Sequence, residues 1–172
     1  RLLQYDQREN VPEIGPLPPF SARQPSNMGF EALAIDEDAR LFALPEYSRS
    51  IRTPFDVYMR DKSNNWRAVY HLPRSGGFRP VGADFGPDGH LYVLTRSFNG
   101  FGFATKIQRV LFANGRPIGH EALFSSRFRQ FDNLEGLATW LAAPGDLRLY
   151  AISDDNFSAL QSTEIVEFRL QE

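Results

Sequence analysis

Three residues able to do chemistry recur at one place in this 172-residue chain. Counting five positions on from Leu41, Leu91 and Leu149 gives Glu46, Arg96 and Asp154, each closing a segment that reads as the second strand of a hairpin. In an antiparallel hairpin the end of the second strand lies beside the start of the first, and two of those starts carry Glu31 and Glu135. Glu31 has the strand parity of Leu33 and Ile35, and Glu135 that of Leu137, so both carboxylates are expected on the side of their strands that packs. Carboxylates about 5 Å apart repel by roughly 3 kcal/mol at an effective dielectric near 20. A cluster of Glu31, Glu46, Glu135, Asp154 and Asp155 therefore needs an offset. Arg96 as a counter-charge is one, a raised carboxyl pKa with a shared proton is a second, and a hard divalent cation, Ca2+ or Mg2+, held by oxygen ligands is a third. The run Asp154-Asp155-Asn156 favours the cation, with turn capping by Asp and Asn as the plainer alternative. Beyond Arg96, the segment SFNGFGFATK sets Phe98 and Phe101 among glycines. It reads as a flexible apolar loop that either walls a substrate site or tucks over a sheet edge.

Conventional catalytic signatures are missing from the sequence. There is no Gly-x-Ser-x-Gly elbow, no HExxH pair and no phosphate-cradling Gly-rich loop. His71, His90 and His120 are far apart, and no organic cofactor is expected. The absence of cysteine excludes disulfides and thiolate metal sites. A formal charge of -2 gives no bulk attraction to nucleic acid. No apolar run approaches the roughly 18 residues that would span a bilayer as a helix. Arg74, Arg79, Arg127 and Arg129 could attract a phosphorylated substrate, although scattered arginines are more often solvated.

The elements that must position these residues are short alternating runs separated by turn chemistry, an all-β pattern. One unit gives strands EALAI, LFALPE, FDVYMR and WRAVYHL; the next gives GADF, LYVLTR, KIQRVLFA and a weaker run over residues 121–124. The last gives LEGLATW, LRLYAIS and EIVEFRL, one strand short. The aligned leucines step by 50 and 58 residues, a period that implies repeated sheets. Four-stranded antiparallel units of this length predict blades of a β-propeller, at about residues 27–72, 79–125 and 132–170 of a single domain. Residues 1–26 are expected to supply an outer strand and a Pro-rich linker from Pro12 to Pro25. A two-sheet sandwich is the competing architecture. Three blades do not close a ring, so the others are expected from sequence preceding this chain or from a second copy. Trp66, Trp140 and the fifteen phenylalanines then fill the spaces between blades.

Four segments carry a resemblance: NMGFEALAID at residues 27–36, DFGPDGHLYVLTRSF at 84–98, DNLEGLATW at 132–140 and ISDDNFSALQSTEIVEF at 152–168. Together they resemble the phytase-like esterase family, "esterase-like activity of phytase", and its C-terminal portion in particular. Thr95 departs from the acidic residue the family often has before this arginine, so no role passes to that position. The resemblance implies a bacterial protein, periplasmic or secreted, that hydrolyses a small phosphate or carboxylic ester. In that reading Glu31, Glu135 and Arg96 are catalytic, and Arg96, Phe98 and Phe101 contact the substrate. Glu31, Glu46, Glu135, Asp154 and Asp155 are candidate ligands of a divalent cation. A non-catalytic propeller that binds a ligand or protein partner, its rim a structural charge network, is the alternative.

Overall fold

The computed structural model describes residues 2–5, 13–18 and 29–170. Every regular element among them is a strand. Most of the Pro12 to Pro25 stretch lies outside the described residues. The first four-stranded sheet is an antiparallel meander of β3 (Phe30–Ile35), β4 (Leu41–Pro45), β5 (Phe55–Arg60) and β6 (Trp66–Leu72). The second repeats it with β7 (Arg79–Phe85), β8 (Leu91–Phe98), β9 (Phe103–Ala113) and β10 (Arg116–Ser125). The third has three strands, β11 (Leu134–Ala143), β12 (Asp146–Ser153) and β13 (Ile165–Arg169). Strand β1 (Leu2–Gln4) pairs with β2 (Glu13–Gly15) in a separate two-stranded sheet.

Turn chemistry sets the registers. Asn114 and Gly115 have φ of 50° and 69° between β9 and β10, the left-handed pair that a two-residue hairpin needs to match strand twist. Asp36 and Asp61 each accept two backbone N–H bonds from their own turns, so a side chain does there what a ladder cannot. The segment after Arg96 is not the flexible loop its glycines imply. Strand β8 runs on to Phe98 and β9 begins at Phe103, leaving residues 99–102 as a tight turn whose Asn99 Oδ1 accepts from the Phe101 and Gly102 amides at 3.0 and 3.1 Å. Ladder bonds on both sides hold this hairpin straight.

The sheets stack face on face. Ala34, Phe42, Val57 and Met59 of the first sheet bury against Leu91, Val93 and Val110 of the second. Phe42, Phe85 and Phe112 close this layer edge to face, with centroids 4.8–5.7 Å apart. The other face of the second sheet, through Val81, Tyr92, Leu94 and Ile107, buries against Leu134, Leu149 and Ala151 of the third. Alternation along β8 thus feeds two cores from one strand, which is why Leu91 to Thr95 are all buried. The first strands of the sheets lie along one another, β3 on β7 and β7 on β11. Asp84 Oδ2 fastens the second of these contacts by accepting from Thr139 N at 2.7 Å and Thr139 Oγ1 at 2.9 Å.

Two findings depart from simple alternation. Ala32 and Ala34 are the buried residues of β3, while Leu33 and Ile35 are 53% and 55% exposed. The face with Glu31 parity is therefore the open one, because the second sheet covers only the opposite side. The ladder between the first and second strand also slips by one residue at the same place in all three sheets, at Glu31, Val81 and Glu135. Each is the extra residue of a β-bulge, a device that bends the strand and re-aims a side chain.

Gly82, directly after the second bulge, lets the backbones of β7 and β11 approach. A Cβ there would lie 2.6 Å from Glu135 O and 3.2 Å from Leu137 N. Backbone on both sides cannot rotate away as a side chain would. Gly82→Ala is expected to cost roughly 1–3 kcal/mol as overpacking, lowering Tm by several degrees at about 2–4 °C per kcal/mol. Thermal denaturation followed by circular dichroism checks this, and an unchanged Tm would contradict the close contact.

Candidate functional site

The ends of β4, β8 and β12 and the starts of β7, β9 and β11 meet at one rim, because the strands of the three hairpins have the same order and sense. Arg96, directly after the buried run of β8, reaches both neighbouring sheets. Its Nη1 donates to Asn133 Oδ1 and Glu135 Oε1 of the third sheet, and its Nη2 lies 3.7 Å from Glu46 Oε1 of the first. The guanidinium also sits 5.5 Å from the centroid of the Phe103 ring, an apolar floor that favours the delocalised cation. Arg79, the cross-strand partner of Arg96 on β7, brings its Nη1 to 3.9 Å from the same Glu46 oxygen.

Glu46 is the unusual member. Its side chain is 14% exposed, and its two guanidinium neighbours stand beyond hydrogen-bond distance. Burial pushes its pKa up from the ordinary carboxyl value, with Arg96 and Arg79 pulling it down and Glu31 and Glu135 adding to the rise. Desolvation wins because distant cations offset less than direct hydrogen bonds would. Glu31, Glu46 and Glu135 thus fall within electrostatic reach of one another, as the hairpin geometry predicts.

Asn133 is a site residue that strand parity did not expose. It is fully buried, and its Nδ2 donates to Glu135 Oε1 at 2.9 Å and to the Asp154 carbonyl at 3.2 Å while its own carbonyl accepts from Asp154 N at 3.1 Å. The signal lay in the order Asn-Leu-Glu, an amide just before a strand whose bulged residue is acidic. Arg74 is one of the four arginines that the sequence offers as phosphate contacts. Its Nη1 donates to Ser48 Oγ, its Nε donates to Gly76 O at 2.9 Å, and burial with Arg79 nearby lowers its pKa.

Asp154 joins the rim through its backbone. Its Oδ1 accepts from Asn156 N at 2.9 Å, while Asp155 accepts from Phe157 N at 2.9 Å and Thr163 Oγ1 at 3.1 Å. Both carboxylates cap their own loop. Among the described residues no three Asp, Glu, His or Cys side chains stand together as a metal-binding group. Glu46 faces two arginines and Glu135 is held by Arg96 and Asn133, so the donor set does not fit a calcium or magnesium cage. Phe98 and Phe101 are exposed beside the rim, with the Phe98 and Phe103 rings 4.9 Å apart.

Stacked antiparallel sheets with Arg96, Arg79, Glu46 and Glu135 brought together at one set of strand ends define an all-β domain that presents a polar, arginine-centred face there. The chain belongs to the phytase-like family, whose model, described as esterase-like activity of phytase, matches residues 1–157. No curated protein matches. Among solved structures, a luciferin-regenerating enzyme is 20% identical over 84% of this chain and 46% of its own, with a TM-score of 0.42. A protein of unknown function from Bacteroides caccae is 14% identical over 85% of this chain and 62% of its own, with a TM-score of 0.36. The chain spans less than two thirds of either structure.

The raised pKa of Glu46 has a consequence for stability. The folded state holds this proton more tightly than the unfolded chain, so the contribution of Glu46 is intact below the ordinary carboxyl range and lost as pH rises through the raised value. Glu46→Gln is neutral at every pH. Its Tm relative to the parent should therefore be higher near about pH 7 than near about pH 3.5, as differential scanning calorimetry can measure; a difference independent of pH would deny Glu46 its raised pKa.

Proposed function

We propose that this protein hydrolyses phosphate or carboxylic esters at the Arg96 rim of a β-propeller, of which the three stacked sheets form part. The observation that carries the reading is Glu46: a half-desolvated carboxyl group that keeps its proton above the ordinary range, placed within 4 Å of the guanidinium groups of Arg96 and Arg79. A cationic pair beside a proton donor is what ester cleavage asks of a site. Arg79 and Arg96 would hold the phosphoryl or acyl oxygen as charge builds on it. Water would add its oxygen to phosphorus or to the acyl carbon and give its proton to a rim carboxylate. Glu31 suits that step because it is exposed and has no hydrogen bond or ion pair of its side chain among the described residues. Glu46 would then pass its proton to the departing alkoxide. Glu135, bonded to Arg96 and Asn133, acts by fixing the guanidinium. Family membership supports export to the periplasm or beyond the cell as part of the same proposal.

A binding module without chemistry is the second reading, and the commitment of Arg96 Nη1 favours it. One Nη atom already serves both Asn133 and Glu135 across the sheet boundary, as expected of a group whose task is to tie sheets together.

Release of 4-nitrophenol from its phosphate and acetate esters separates the two. Glu46→Gln should lower kcat by about a hundredfold or more, the usual scale of general acid catalysis, and Arg96→Gln should impair it further. Parental turnover that survives Glu46→Gln unchanged would sink the assignment of Glu46, and no turnover of either ester leaves the binding module as the better reading.

A further inference from the structure

Next to the rim runs a cleft of about 710 Å³ between the tip of the β8–β9 hairpin and the loop joining β12 to β13. Its walls have two characters. Phe98, Phe101 and Phe103 line one side and Leu160 the other, with Phe101 87% and Leu160 96% exposed to solvent. Large side chains held out in water by a rigid hairpin are an unpaid hydrophobic surface, and a concave one is suited to an apolar guest.

The charges in the cleft decide which guest. Asp132 and Glu164 line it, yet both are committed to backbone. Asp132 Oδ2 accepts from Ser162 N at 2.7 Å and Oδ1 from Asn133 N at 2.9 Å, and Glu164 Oε1 accepts from Asp132 N at 2.7 Å. These bonds clamp the far wall to the start of β11. Arg129 is the opposite case. Its backbone is fixed, with N donating to Phe103 O at 2.7 Å and φ at 65°, and its stem lies over Gly102, where a Cβ would come within 2.4 Å of Arg129 Cγ. Its guanidinium makes no hydrogen bond or ion pair among the described residues. The cleft thus offers aromatic rings, an aliphatic wall and one uncommitted cation. Phe103 belongs to both places, because Arg96 stacks above the ring that closes the cleft.

We infer that the cleft seats the apolar body of an amphiphilic ligand bearing a single anionic group, with Arg129 as its counter-charge. Resting on the hydrolase reading above, this makes the substrate class aryl or acyl esters that carry one negative charge. A ligand crowded with phosphates would find only one free guanidinium here, and its charge would gain nothing from the aromatic wall.

Titration with 2-naphthoate and with its uncharged isostere 2-naphthamide, followed by backbone amide shifts, tests the inference without needing turnover. Naphthoate should bind about fivefold more tightly than the amide, the ratio expected for a solvent-open ion pair, and shift Gly100, Gly102 and Gln130. Arg129→Gln should erase the preference, Arg129→Lys should retain it, and Phe101→Ala should weaken both ligands. An unchanged amide spectrum away from the site shows that each variant folds. Equal affinities, a preference insensitive to Arg129→Gln, or no binding at millimolar concentration would overturn the inference. Ester turnover without naphthoate binding removes the cleft and leaves Glu46 and Arg96; naphthoate binding without turnover keeps the cleft and removes the hydrolase.

Discussion

One guanidinium joins three sheets. Arg96 leaves the middle sheet at the end of its most buried strand and meets Asn133 and Glu135 on one side and Glu46 on the other. Apolar faces bring the sheets together, but they are tolerant of sliding, since one aliphatic contact resembles the next. Directional bonds at the rim are not tolerant in this way. The same residue therefore helps fix how the sheets sit and decides the electrostatics of the rim where Glu31, Glu46 and Glu135 converge. Glu46 shows the consequence: it is drawn into a half-buried position by its arginines without being fully compensated by them.

Placement of this rim depends on two departures from regular sheet. Bulges at Glu31, Val81 and Glu135 turn one residue per sheet out of the ladder, and Gly82 allows β11 to lie close enough for Arg96 to reach across. Close approach at the first strands and wide separation at the rim loops leave room for the aromatic cleft. Dynamics follow from the same arrangement. Strands β8 and β9 pair through to Phe98 and Phe103, so their tip is held by ladder bonds and an Asx turn at Asn99, together with the Phe98–Phe103 ring contact and the Arg129 stem over Gly102.

Much of this was legible in the sequence, and the reasons are specific. Turn residues such as Asp36, Asn114-Gly115 and Gly86-Pro87-Asp88-Gly89 separate runs of period two, which located the strands of the three sheets, with FDVYMR and WRAVYHL matching their bounds. The alignment of Leu41, Leu91 and Leu149 placed Glu46 and Arg96 at one rim beside Glu31 and Glu135. Parity puts Glu31, Leu33 and Ile35 on the packed face of β3 and is wrong there, because which face is covered depends on which neighbour a sheet has, and Leu33 and Ile35 lie open. Asp154 and Asp155 read as candidate cation ligands, with turn capping the plainer alternative, since both uses need the same oxygens; the hydrogen bonds of both are those of loop caps. Asn133 carries no charge and belongs to no alternation, so only its place in the order Asn-Leu-Glu before β11 marked it. The turn at residues 99–102 was read as flexible from its glycines, whereas the register of the flanking strands is what makes it rigid.

The repeated bulge gives this domain a socket. In an unbroken ladder, exchanging a residue alters the face it shares with its neighbours two positions away, so chemistry and core are coupled. At Glu31 and Glu135 the extra side chain stands outside the ladder count and is acidic, whereas Val81 at the same place in the second sheet is buried in the core it shares with the third. The first and third sheets can therefore change what they present at the rim without re-registering a strand. A repeat protein built this way can diversify its site one sheet at a time while its architecture stays constant.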